Sequence, residues 1–259
     1  MRIRTILPTP RPAGTGHILS LGLFLLYSVF AVIHLLEKPG LPTEYRFPRG
    51  TSQVTSVDGV AVKTANEVEF LLSGFPIGAR VGIVIEHDEL TGNETVTLDR
   101  YYSGWYILFD VAISAIILGL GLVVAMFHVE KSVARVFMGA SIALAGALLG
   151  TKTLSSMQPY WLGAGLCACF FLSYSAIPVL FLHFASVFPV RRFRNTRTIA
   201  GFFYAGTVLM AVWQTLVYLE AGEPHSVEMF RRSVSTSVWM NGLMVAGIVA
   251  GLLVLIVSY

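Results

Sequence analysis

Six stretches of the chain are apolar almost without interruption: 17–36, 105–127, 132–150, 160–189, 199–219 and 238–259. Each is close to or beyond the roughly 20 residues a helix needs to cross a bilayer's hydrocarbon layer. One region, 37–104, breaks the pattern. Within it "QVTSVDGVAV" alternates as a strand does, around Asp58-Gly59, a pair suited to a tight hairpin turn. "TANEVEFLLSG" then takes on helical spacing. Thr64 is a good N-cap, Glu67 completes a capping box, and Val68, Leu71 and Leu72 share one face, with Gly74 as the stop. "ARVGIVIEH" and "ETVTLDR" are two more β-rich runs, joined by the turn-rich "DELTGN". The predicted order is strand, turn, strand, helix, hairpin.

The pattern predicts an α-helical polytopic membrane protein of about six transmembrane helices, carrying a small α+β domain. Residues 1–36 form a cytoplasmic N-terminus and anchor helix, 37–104 the extracytoplasmic domain, and 105–259 a five-helix bundle. Composition agrees. Of 259 residues 55% are hydrophobic and only 13% charged, about half the charge of a soluble domain. Mean hydropathy is +0.71. A net charge of +3 gives no reason to expect a nucleic-acid partner. The first apolar run follows Arg2, Arg4 and Arg11, and "LLEKPGLPTEY" after it offers no small-x-small cleavage site, so it reads as a retained signal anchor.

Lysine and arginine set the orientation. They gather at the N-terminus, at Lys131 and Arg135, and at Arg191, Arg192, Arg194 and Arg197. The 151–159 loop has only Lys152, and in 220–237 Arg231 and Arg232 are offset by Glu220, Glu223 and Glu228. Alternation then places the N-terminus in the cytoplasm, with 37–104 outside. "RYYSGW" (Arg100–Trp105) reads as an aromatic interfacial belt and a short, stiff link into the second span. The final "LLVLIVSY" has no basic anchor, and a cytoplasmic output domain is expected beyond Tyr259.

Ionisable groups within spans are the first candidates for chemistry. Asp110 lies five residues past Trp105, near the outer interface, where it serves either as a helix-start acid or as a proton or ligand sensor. His183 lies in "VLFLHFASVFPVRRFR", six residues before Pro189, and His128 stands at the inner end of the second span, where the two could approach. His34 belongs to the other side. Two histidines do not make a metal site, and neither a metal nor a cofactor is expected. Cys167 and Cys169 are two apart and point about 200° away from each other on a helix. "FHVEK" lacks the spacing of H-E-x-x-H, and "GAS" at 139–141 lacks the second glycine of an intramembrane serine protease turn. No P-loop or GxGxxG is present, and no catalytic constellation emerges. Gly139, Ala143 and Ala147, and Gly247 and Gly251, have the four-residue spacing that lets membrane helices approach closely.

From "PRGTSQV" to "ETVTL" the domain resembles the later two-thirds of a bacterial protease-associated PDZ domain, with its xVDG turn, helix and closing hairpin in order. It departs at the front. The carboxylate-binding loop is not recognisable in "EKPGLPTEYRF", and Arg49-Gly50-Thr51 replaces the usual Pro-Gly-Asp. The resemblance implies a peptide groove along the 65–73 helix, with Arg49, Gly50, Val68 and Leu72 as its residues and a peptide or envelope protein as ligand. "L-H-F-x-x-V-F-P" before a basic loop, behind an anchor and a PDZ-like module, resembles the membrane region of multi-span bacterial signalling proteins, sensor histidine kinases above all. That resemblance implies the input region of a two-component sensor, working as a homodimer in contact with membrane lipid. The alternative is a membrane protease, or its regulator, gated by the PDZ-like domain.

Overall fold

The computed structural model describes residues 15–46, 53–87, 90–127, 131–154, 160–188, 196–222 and 225–258. Among the described residues six helices are long and apolar enough to cross a membrane, as in a multi-pass membrane protein. They are α1 (Thr15–Leu36), α4 (Gly104–Phe127), α5 (Lys131–Thr151), α6 (Tyr160–Val187), α7 (Thr196–Gly222) and α8 (Val227–Ser258). Between α1 and α4 lie β1 (Pro39–Gly40), α2 (Thr43–Arg46), β2 (Gln53–Val57), β3 (Val60–Ala61), α3 (Ala65–Leu72), β4 (Arg80–His87), β5 (Leu90–Thr97) and β6 (Asp99–Arg100).

The long helices form one bundle. α1, α4 and α5 pack around Phe24, Leu118, Met138, Ala145 and Leu149. α6 lies along α5 as extensively as α4 does, and it also packs against α7 and α8. The helix surfaces facing away from these contacts carry exposed Leu19, Phe109, Leu209, Trp239 and Ile256. Such a surface suits lipid rather than water. Gly251 shows why small residues recur: a Cβ there would come within 2.6 Å of the Phe181 ring, and Gly247 sits as tightly on Pro178. The Gly247/Gly251 pair is therefore used between α8 and α6 of one chain.

The small unit is a four-stranded antiparallel sheet in the order β3-β2-β4-β5, with α3 packed on it. Asp58 and Gly59 both take positive φ, 48° and 81°, as a two-residue hairpin between paired Val57 and Val60 requires. The core is aliphatic: Leu41, Val57, Val68, Leu71, Leu72, Val81, Ile83 and Val96. A second pairing, β1 with β6, clamps the chain where it enters and leaves this unit.

Three expectations change. The capping box is half made. Thr64 accepts from the Glu67 N–H, but the Glu67 carboxylate accepts from the N–H of Lys63 instead of that of Thr64. Gly74 does not end α3 in a left-handed turn. The helix stops at Leu72, and a Cβ on Gly74 would strike the His225 ring at 2.7 Å. The last span does not begin at 238. α8 starts at Val227 and takes in what reads as the second half of a polar loop. At 32 residues it is about 48 Å long, well beyond a ~30 Å hydrocarbon layer.

Candidate functional site

The extra turns of α8 meet α3, and α3 has two working faces. Val68, Leu71 and Leu72 face the sheet. Phe70 lies about 200° around the helix from Val68 and belongs to the bundle. It is fully buried, stacked on Phe230 at 4.4 Å between ring centroids and on His225 at 5.0 Å. Tyr218, Phe170 and Phe171 complete this aromatic cluster. His225 directs Nδ1 at the Gly222 carbonyl, 3.2 Å away, and a carbonyl only accepts, so that nitrogen carries the proton.

Charged groups flank the aromatics on both sides. Arg231 of α8 donates from Nε and Nη2 to the two oxygens of Glu67, at 2.9 and 2.8 Å. This is the two-pronged geometry that makes arginine–carboxylate pairs directional. The paired guanidinium holds the Glu67 carboxyl below the usual carboxylate range, against the opposing effect of burial. On the other side Lys38, just past α1, is buried to the tip of its side chain. Its Nζ donates to Glu69 at 2.8 Å and to the Lys152 carbonyl at 3.0 Å, and lies 4.8 Å from the centre of the Tyr101 ring. Tyr101 donates to the other oxygen of Glu69. A buried ammonium is tolerated only when paired and hydrogen-bonded in this way. Next in line, Lys152 pairs with Asp110 and sits over the Tyr106 ring at 4.2 Å. Tyr102 stacks on Tyr106 at 5.2 Å, and burial pushes its phenol pKa up.

The result is a seam in which one short helix is bonded to the bundle at two places: Glu69 to Lys38 just past α1, which in turn reaches the Lys152 carbonyl just past α5, and Glu67 and Phe70 to α8. Beneath α3 the seam borders a partly open cavity of about 430 Å³. A smaller groove of about 170 Å³ lies between β2 and α3, lined by Val54, Val68 and Leu72 and closed on one side by Leu41 and Tyr45 of the same chain.

Of the residues singled out from sequence, Val68 and Leu72 come together in that groove as parts of the sheet's core. Arg49, Gly50 and His128 lie outside the described residues. Asp110 joins the seam through Lys152. His183 does not. It sits between α6 and α7, with Nδ1 2.9 Å from the Tyr204 hydroxyl. His34 is buried near the end of α1. Cys167 is buried and Cys169 exposed, on different sides of α6. The residues that build the seam, Lys38, Phe70, Tyr101, Tyr218 and Arg231, were not legible as a group. The one signal was Phe70 on the face of "NEVEF" opposite the aliphatic stripe, with Glu67 and Glu69 beside it on the same short helix.

No family model matches the chain, and neither a curated protein nor a solved structure resembles it significantly.

Proposed function

We propose that this chain is the membrane input region of a bacterial signal-transduction protein, a sensor histidine kinase in the first instance. Its small domain is PDZ-like and extracytoplasmic, and it passes an envelope or peptide signal to a cytoplasmic output domain. The observation that carries the reading is the seam. One eight-residue helix, α3, is ion-paired to α8 through Glu67–Arg231 and to the residue just past α1 through Glu69–Lys38, and Lys38 also bonds the Lys152 carbonyl just past α5. A ligand that shifts α3 must therefore break or carry those pairs, and α8 runs unbroken from Arg231 to the far side of the bundle. A relay needs an element with two states, and α3 docked on α8 or released from it is the pair this reading assigns.

The strand order, the Asp58-Gly59 turn and the groove beside α3 support the PDZ-like assignment. At about 170 Å³ the groove is below the roughly 300–1,000 Å³ of ordinary ligand sites. A peptide strand would have to displace the 41–46 segment first. Input in this reading acts on the docking of α3, with groove occupancy one means of loosening it.

The test is phosphotransfer. Protein made from the whole native reading frame, in membranes, is given ATP and assayed for acid-labile phosphohistidine. The reading expects autophosphorylation whose rate changes when Arg231→Glu breaks the seam. No phosphohistidine at all would contradict the kinase assignment. Phosphohistidine indifferent to Arg231→Glu would contradict the relay.

A further inference from the structure

The partly open cavity beneath α3 takes its wall from both helices that the seam joins. Asn66 and Glu69 of α3 line it, and so do Val234, Ser237 and Asn241 of α8. At about 430 Å³ it falls within the range of ordinary small-molecule sites. Its charges are already matched. Lys152 is paired with Asp110, and the two oxygens of Glu69 accept from Lys38 and Tyr101. An ionic ligand would have to leave water and then break one of these pairs to find a countercharge. What remains to meet a ligand is neutral. The exposed Asn241 accepts from the Tyr174 hydroxyl at 2.7 Å, and its amide N–H groups have no partner among the described residues. Asn66 is exposed in the first turn of α3, and its carboxamide makes no hydrogen bond among the described residues. Ser237 spends its hydroxyl proton on the Val234 carbonyl at 2.6 Å and keeps its lone pairs. The half-buried Tyr102, Leu154 and Tyr174 add apolar surface to the same wall. Two carboxamides, one on each helix, offer both donors and acceptors to a molecule placed between apolar side chains.

We propose that this cavity binds a small uncharged molecule with an amide-like group beside an aromatic or aliphatic body, and that the bound molecule ties α3 to α8. A ligand in contact with both helices binds the docked arrangement better than the released one and shifts the population toward docking. Its effect is opposite to that of a peptide that displaces the 41–46 segment from the β2–α3 groove. Its role as an input rests on the relay reading; the site itself rests on the cavity. The probes are three molecules of one shape: neutral N-acetylphenylalaninamide, anionic N-acetylphenylalanine and protonated phenylalaninamide. Each is titrated into the full-length protein in phosphatidylcholine nanodiscs and read by hydrogen exchange with mass spectrometry. The neutral probe should raise protection in α3 and the first turns of α8, half-maximally at about millimolar concentration, as expected for a ligand of its size. The two charged probes should need about tenfold more. Asn241→Leu removes the free N–H groups and should weaken the neutral probe about tenfold. Asn66→Asp keeps the volume at an exposed first-turn position and adds an unmatched negative charge. It should turn the preference toward protonated phenylalaninamide, and it decides the matter if Asn241→Leu does not fold. No protection by the neutral probe, equal protection by all three, or a response indifferent to both variants would overturn the proposal. Protection of α3 without any change in autophosphorylation would uphold the site and count against the relay alone.

Discussion

The core of the small domain and the seam beneath it share one helix and are built from opposite chemistry. Above α3 the contacts are aliphatic, Val68, Leu71 and Leu72 against Val57, Val81 and Ile83. Below it they are stacked rings and ion pairs, Phe70 on Phe230, Glu67 on Arg231, Glu69 on Lys38. Aliphatic packing is non-directional and accommodates small shifts. A two-pronged ion pair or a buried ammonium is satisfied in one position and costly elsewhere. The domain is therefore held together by contacts that do not report its orientation, and held to the bundle by contacts that do.

The sharpest way to break this contrast is to strand a seam charge. Lys38→Met leaves the Glu69 carboxylate facing a cavity without its ammonium and should cost about 3–5 kcal/mol. Thermal unfolding in detergent would register it, and Lys38→Met/Glu69→Gln should recover most of the loss. Phe70→Ala comes next, at about 3 kcal/mol for a fully buried ring. Hydrogen exchange should rise in α3 and the first turns of α8 while the β4–β5 hairpin stays protected. Loss of protection in both would mean the two regions are one cooperative unit. The Glu67–Arg231 pair gives a smaller, pH-dependent effect. Because the folded-state carboxyl titrates below its usual value, its contribution is complete above the usual carboxylate range and is lost as pH falls through the depressed value. Protection of the α3 amides, relative to their intrinsic exchange rates, should therefore fall at acid pH, and Arg231→Met should flatten that dependence. The smallest change is expected away from the seam. Tyr204→Phe removes the His183 hydrogen bond between α6 and α7 and should cost only about 0.6 kcal/mol, with no effect on α3.

The same contrast explains what could be read from the chain. Apolar runs located five of the six long helices to within a few residues, because lipid imposes a length. Alternation and the Asp58-Gly59 pair located the hairpin, because its core is local and aliphatic. The start of α8 was missed because Arg231, Arg232, Ser233, Ser235 and Thr236 read as a loop. They are helical because Phe230 and Arg231 have partners on α3 and Ser233 accepts from Gln214, contacts that span 19 to 164 residues. Lys38 was unremarkable for the same reason: its partners, Glu69 and Lys152, lie 31 and 114 residues away. His183 drew attention by residue type, yet its partner is a tyrosine in the neighbouring helix and it stands apart from the seam.

The most direct measurement is a charge exchange across the seam, read by hydrogen exchange in α3 of the membrane-embedded protein. Glu67→Arg and Arg231→Glu alone should each speed exchange in α3 while sparing the β4–β5 hairpin, and Glu67→Arg/Arg231→Glu together should restore much of the protection. Single reversals that leave α3 as protected as before would contradict the claim that the domain is seated on α8 through this helix.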